Sequence, residues 1–253
     1  VTACSAATNA IGEAFRYIRD GYCDVAFAGG SEATINILGV GGFTTMKALN
    51  TTNDINNASI PFDKRRSGFV IGEGSGMMIL EAYEQAKKRG AKIYGEIVGY
   101  GTTCDAYHIT APDESAEGIA TCIKLALEDA NINPEQLDYI NAHGTSTPHN
   151  DRLETLAFKK ALGEAAYKVN ISSTKSMTGH ALGATGAIEG VICLKAIEDS
   201  VIPPTINLQV PDEACDLNYT PNKSVSREVN YALSNSAGFG GQNAAIIFKK
   251  FTE

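Results

Sequence analysis

The sequence predicts an α/β fold, and three observations predict it. Short apolar runs of strand length alternate with stretches whose apolar residues recur every three to four positions. Glycine, asparagine and aspartate punctuate the joins. The chain then closes on two strand-like runs, 231–236 and 244–251, joined by Gly238-Phe239-Gly240-Gly241. With 253 residues, 43% of them hydrophobic and 20% charged, it can bury the core of one large or two medium domains.

Each element has its own warrant. Ala7, Ile11, Ala14 and Ile18 line one face of a first helix, which Asp20-Gly21 stops. Residues 24–30 read as a short buried strand ending at Gly29-Gly30. Residues 36–58, rich in Gly, Asn and Thr, read as loop with a short helix. The run 61–68 leads into a strand at 69–80, where Gly72, Gly74 and Gly76 share one face, so something must approach that backbone closely. A helix over 82–89 and the stop at Gly90 divide the chain into units 1–90 and 91–253. The second unit opens with a strand at 93–100 and a polar loop at 102–115. The helix at 116–130 follows, with Ile119, Ile123, Leu127 and Ala130 inward. A strand at 137–142 turns at His143-Gly144, and Asn150 or Asp151 caps the next helix, to about Leu162. A strand at 169–172 and a helix at 184–199, packed through small residues, precede the final pair.

Composition narrows the functional classes. A net charge of −8 argues against general nucleic-acid binding, which needs cations to neutralise phosphates. No apolar stretch approaches the roughly 20 residues of a membrane helix, so no membrane role is expected. Six scattered cysteines without metal-ligand spacing read as reduced thiols of a cytoplasmic protein, with Cys122 and Cys193 as core fillers. No signal peptide is visible, though Val1 leaves room for an upstream address.

Three positions carry chemistry. Cys4 falls in the first turn of the first helix, where free N–H groups and the helix dipole favour a thiolate. His143 and His180 each follow a strand and sit in glycine-flanked backbone. In α/β sheets the strands' carboxyl ends gather into one crevice, so these three can converge. His108 and His149 read as ordinary polar-loop histidines.

The motifs decide between readings. Thr2-Ala3-Cys4-Ser5-Ala6, Asn141 to Pro148 (NAHGTSTP), Lys175 to His180 (KSMTGH), Gly238 to Asn243 (GFGGQN), and Phe62-Asp63-Lys64 through Gly72-Glu73-Gly74 occur in order. This set resembles that of the β-ketoacyl-acyl carrier protein synthases, above all the type II synthases of bacterial fatty-acid synthesis, over essentially the whole chain. The resemblance implies a thiolase-like fold in αβαβα layers, here with the first half incomplete, because family members carry much more chain ahead of the nucleophile. It implies an acyltransferase that needs neither cofactor nor metal. Its partners would be acyl- and malonyl-loaded carrier protein, and the full-length protein would be a homodimer.

Residue roles follow from the same resemblance. Cys4 would hold the acyl group, with the backbone N–H groups of Cys4 and Phe239 as oxyanion hole. Neutral His143 and His180 would stabilise the enolate left by loss of CO2, beside Lys175. Glu189 would anchor that network, although from the sequence alone it reads as an exposed helix carboxylate. Thr145 and Thr147 would bond the pantetheine arm, or are simply turn residues. Phe43 and Phe239 would be aromatic gates to the acyl pocket. Lys47, Lys64, Arg65 and Arg66 form a basic patch for the acidic carrier protein or a solvated cluster, with buried pairing inside the motif a third role for Lys64 and Arg65. The chain departs from the family at Ala237, where an aromatic residue is usual. Two further readings stand beside this one: a ketosynthase domain of a polyketide synthase, and an inactive fragment that contributes only to folding or carrier binding.

Overall fold

The computed structural model describes residues 1–252. Its centre is a five-stranded mixed sheet in the order β3-β9-β8-β4-β5. These strands are β3 (Glu96–Cys104), β4 (Tyr139–Asn141), β5 (Asn170–Ser172), β8 (Tyr231–Gly238) and β9 (Gln242–Lys249). β4 runs parallel to β5 and β8, whereas β9 is antiparallel to both β8 and β3. A second, two-stranded sheet pairs β1 (Val25–Glu32) antiparallel with β2 (Gly74–Glu81). A short pair, β6 (Val201–Ile202) with β7 (Val225–Ser226), lies apart from both and has no warrant in the hydrophobic pattern.

Helices α1 (Ala6–Arg19) and α7 (Thr185–Asp199) lie between the two sheets. They bury Ala7, Ile11, Ala187 and Cys193 against Ala28 and Met78 on one side and Ile246 and Phe248 on the other. Helices α4 (Glu117–Ala130) and α5 (Pro148–Leu162) cover the opposite face of the large sheet, closing a second core around Ile123, Leu153, Phe158 and Ile171. Apolar side chains on both faces of β8 and β9 are thus removed from water, the main favourable contribution to such a layered fold. Four of the five expected layers are formed by the described residues, and the α/β reading holds.

Most elements fall where the sequence puts them, with four corrections. Residues 25–32 form a strand that is only half-buried, because Phe27 and its cross-strand neighbour Ile79 face outward, 74% and 63% exposed. The strand expected at 69–80 begins at Gly74, since Phe69 and Ile71 make only isolated bridges, to Leu49 and His180. The strand expected at 93–100 runs on to Cys104, into the stretch read as loop. Helix α5 is preceded by Thr147 as N-cap with Pro148 at its first position, so neither Asn150 nor Asp151 caps it. Asp151 is instead buried, accepting from the Phe62 amide at 2.8 Å. Between these elements lie α2 (Ile37–Thr45), α3 (Tyr83–Lys88) and α6 (Lys175–Thr178). The expected close approach to the glycine face is met: a Cβ at Gly76 would lie 2.6 Å from the α7 backbone at Ala187, and one at Gly72 would lie 2.4 Å from the Thr178 carbonyl.

Candidate active site

Cys4 sits in a 3-10 turn, Ala3–Ser5, that feeds directly into α1. Ala3 takes a φ of 48°, the left-handed region that costs an L-residue roughly 1–2 kcal/mol. The turn is pressed from the other side by the end of β8. A Cβ at Gly238 would stand 2.7 Å from the Thr2 carbonyl and 3.1 Å from the Cys4 nitrogen, so only glycine lets the two segments meet. That contact brings the Phe239 amide to the Cys4 sulfur, where it and the Cys4 amide both favour the thiolate.

The expectation of a lowered thiol pKa is nevertheless overturned. Cys4 is only 8% exposed, beside Phe69 and Leu182, and burial pushes its thiol up to about 11. Lys175 and the two amides oppose that rise without cancelling it, while Glu32 adds to it. Removing an anion's water costs more here than the helix terminus returns.

His143 and His180 meet edge to face, with ring centroids 5.2 Å apart and planes at 86°. His143 follows β4, and its segment is held by Glu154 of α5, which accepts from the His143 amide at 2.6 Å and the Gly144 amide at 2.8 Å. The same carboxylate accepts from Asn235 of β8 at 2.8 Å. His180 is fixed by its backbone, donating to the Val70 carbonyl at 2.7 Å and accepting from the Gly72 amide at 3.0 Å. Its Nδ1 lies 3.1 Å from the Thr185 hydroxyl, and the Phe69 ring stands edge-on 5.2 Å away. Burial holds both imidazoles well below the ordinary histidine value, the Lys175 charge adds to the effect, and His180 lowers His143 further. Both rings are therefore neutral at pH 7, ready to donate or accept a single proton.

Lys175 and Glu189 form a buried ion pair at 2.5 Å, which corrects the reading of Glu189 as an exposed carboxylate. Burial pushes the Glu189 carboxyl up to about 7 against the pull of Lys175. The α7 pattern hides this pairing, because Lys175 comes from outside that helix.

One cavity of about 420 Å³ joins these groups. Cys4, His143 and His180 line it, as do Phe43, Phe239 and the hydroxyl pair Thr145–Thr147, whose oxygens are 2.9 Å apart. Phe43 lies 6.4 Å from Phe239 and 5.3 Å from Phe69, so three aromatic rings wall one side. Ala237 lines the same cavity. Lys47 is exposed at its margin. Lys64 is exposed and so is Arg65, which nevertheless makes a paired contact with buried Asp63, both bonds at 2.9 Å; the pairing inside the motif is formed, but the burial expected of the two cations is not. Arg66 is not a surface cation at all: it is buried between Asp212 at 2.5 Å and Asp151 at 3.7 Å.

Sequence reasoning missed Glu154, Thr185, Phe69 and Leu182. Glu154 left a usable signal, a carboxylate on the face of α5 that carries Leu153, Ala157 and Phe158. No cluster of three or more His, Cys, Asp or Glu side chains able to hold a metal ion occurs among the described residues.

Comparison with known proteins places this geometry among relatives. Residues 1–86 match the β-ketoacyl synthase N-terminal domain and residues 94–209 the β-ketoacyl synthase C-terminal domain. The chain is 56% identical over 252 residues to the 3-oxoacyl-[acyl-carrier-protein] synthase 2 of Synechocystis sp., covering 99% of this chain and 61% of that protein. It is 51% identical over 251 residues to the enzyme of the same name from Staphylococcus aureus, again covering 99% and 61%. It thus spans about 61% of the length of these curated relatives. Among solved structures it superposes on a type II polyketide ketosynthase in complex with its acyl-carrier protein at a TM-score of 0.96 and 45% identity, covering 99% of this chain and 62% of that one. A β-ketoacyl synthase from Burkholderia phymatum gives 0.92 and 38%, covering 99% and 60%.

Proposed function

The chain belongs to the β-ketoacyl synthase family, and from that premise we propose that the full-length protein is a 3-oxoacyl-acyl carrier protein synthase that elongates fatty acids. The observation that carries the proposal is the single cavity shared by one thiol and two neutral imidazoles.

The steps follow from the groups. An acyl thioester on carrier protein enters past Phe43 and Phe239, and its tail gains roughly 0.8 kcal/mol per methylene buried in the pocket. The Cys4 thiol attacks the thioester carbonyl, and its proton passes through a neutral imidazole in the same cavity to the departing carrier sulfur, which leaves the ring neutral again. The amides of Cys4 and Phe239 hold the oxyanion, and the carrier thiol leaves. Malonyl thioester then takes the carrier's place, its pantetheine arm bonded by Thr145 and Thr147. Loss of CO2 leaves an enolate whose oxygen accepts N–H bonds from His143 and His180, each donor contributing on the order of 3 kcal/mol. The enolate carbon attacks the acyl-Cys4 carbonyl, the Cys4–acyl bond breaks, a 3-oxoacyl thioester two carbons longer departs, and the released Cys4 thiolate takes a proton from water to return to the thiol. Burial, aided by the charge of Lys175 held by Glu189, keeps both rings unprotonated between steps.

The same reading carries a cytoplasmic homodimer, in line with six unpaired cysteines and the exposed apolar residues Ile37 and Leu38 on α2. No helix is long and apolar enough to cross a membrane among the described residues. It also assigns residues 1–90 to the half that carries the nucleophile and 91–253 to the half that carries the histidines. Lys47 and Lys64 are the carrier-docking cations in this scheme, and Arg65 is tied to Asp63 at their side.

Two variants of the full-length protein test the division of labour. Cys4→Ala should take up no acyl group from carrier protein yet still decarboxylate malonyl-carrier protein. His143→Ala should lose decarboxylation by about 100-fold, the weight of one such donor. Acyl labelling of the Cys4→Ala protein, or normal CO2 release by His143→Ala, would overturn these roles. A polyketide ketosynthase is the second reading, favoured by the fold match to such an enzyme. Turnover only with unreduced polyketide chains would select it.

A further inference from the structure

We propose that Asn9 is a positioning residue that holds the nucleophile turn in register with the oxyanion pocket, an inference that rests on the reading of Cys4 as acyl acceptor. Asn9 lies on α1 one helical turn beyond Ser5. Its Nδ2 donates to Thr2 Oγ1 at 3.1 Å, to the Ser5 carbonyl at 3.1 Å and to Ser5 Oγ at 3.0 Å. One amide thereby grips both residues that flank Ala3-Cys4. Ser5 Oγ itself donates to the Thr2 carbonyl at 2.7 Å, closing the loop across the nucleophile.

The other end of the Asn9 side chain reaches the large sheet. Its Oδ1 accepts from the Tyr100 hydroxyl at 2.5 Å and from Thr102 Oγ1 at 3.2 Å, both on β3. Tyr100 is itself fixed. Its ring lies so close to α1 that a Cβ at Gly12 would be 2.4 Å away, and the Arg16 guanidinium stands 4.4 Å from the ring centroid. Thr102 also donates to the Asn243 carbonyl of β9, in the pair of strands whose turn carries Phe239.

A physical need explains the clamp. The left-handed φ of 48° at Ala3 is unfavourable for alanine and persists only where the surroundings over-determine it. Contact with Gly238 presses the turn from one side, and Asn9 ties it from the other to the sheet that bears the second oxyanion donor. Asn9 therefore fixes where the Cys4 amide points relative to the Phe239 amide. Acyl transfer depends on that convergence, whereas alkylation of the sulfur develops no oxyanion and feels the two amides only through the thiolate fraction.

The test compares the two reactions in the full-length protein. With a short-chain acyl thioester, single-turnover acylation of Cys4 should fall by about 100-fold in Asn9→Ala, the cost of a displacement near 1 Å. Alkylation by iodoacetamide, taken as the limiting rate per thiolate from a pH profile of each protein, should stay within about twofold of the unmutated protein, since sulfur access is unchanged. Tyr100→Phe, which keeps the ring over Gly12 and loses one bond, should slow acylation by about tenfold with alkylation again spared. The double variant should be no slower than Asn9→Ala, as expected for one shared network. Equal losses in both reactions, or undiminished acylation in Asn9→Ala, would overturn the inference. Should Asn9→Ala fail to fold, undiminished acylation in Tyr100→Phe does the same. An unmutated protein that takes no acyl group would sink the reading of Cys4 itself.

Discussion

Burial acts alike on the Cys4, His143 and His180 side chains, by disfavouring charge. It pushes the Cys4 thiol up to about 11 and both imidazoles down, so the resting cavity holds an uncharged thiol and two uncharged imidazoles. The pH dependence follows with opposite signs. Alkylation of Cys4 should rise about tenfold per pH unit from pH 7 to 10, because the thiolate fraction is still climbing there. A plateau near neutrality would contradict the buried, un-ionised thiol. Malonyl decarboxylation should be flat from about pH 6.5 upward to 8, since the rings are already neutral at the lower limit. A midpoint between 6 and 7 would show that one ring protonates in the working range. The positions of Cys4, His143 and His180 were legible from the sequence as strand and helix ends. The neutrality of the two imidazoles was expected as well, but the un-ionised Cys4 thiol was not, because it depends on burial beside Phe69 and Leu182, which arrive from distant segments.

At the scale of elements, Glu154 shows how helix α5 is bound to the site. One buried carboxylate accepts from His143, Gly144 and Asn235, joining α5 to the loop after β4 and to β8. Glu154→Ala leaves these buried donors unpaired and should lower stability by about 3 kcal/mol or more, read as a fall in the urea midpoint. A midpoint within error of the unmutated protein would remove Glu154 from that role. Helices α1, α4, α5 and α7 could be placed from apolar spacing, and the β8–β9 pair from its glycine turn. The half-exposure of β1 could not be read. Val25 and Phe27 are as apolar as the inward Ala26 and Ala28, so pattern alone does not tell which face has a partner. The start of β2 was misplaced for a related reason: Phe69 and Ile71 have strand-like side chains but bridge to Leu49 and His180 instead.

Across the whole molecule, layering gathers the chemistry. Cys4 at the head of α1 and His180 ahead of α7 belong to the helices packed between the sheets, while His143 comes from the carboxyl end of β4. On the proposed function, a chain of net charge −8 repels an acidic carrier at long range, and local cations would be what steers it. Lys47→Glu in the full-length protein should raise the KM for acyl-carrier protein several-fold, leave kcat nearly unchanged, and flatten the salt dependence of kcat/KM. An unaltered KM would take Lys47 out of the docking surface. The layered class and the charge balance were readable from composition and order. The burial of Arg66, with Asp151 and Asp212 reaching it from α5 and a later loop, was not.

The most direct measurement is the intact mass and peptide map of the full-length protein, first with acyl-carrier protein and then after malonyl-carrier protein is added. A single acyl adduct is expected on the peptide bearing Cys4, discharged on the second addition as a 3-oxoacyl chain two carbons longer. An adduct on any other residue, or one that malonyl-carrier protein leaves in place, would contradict it.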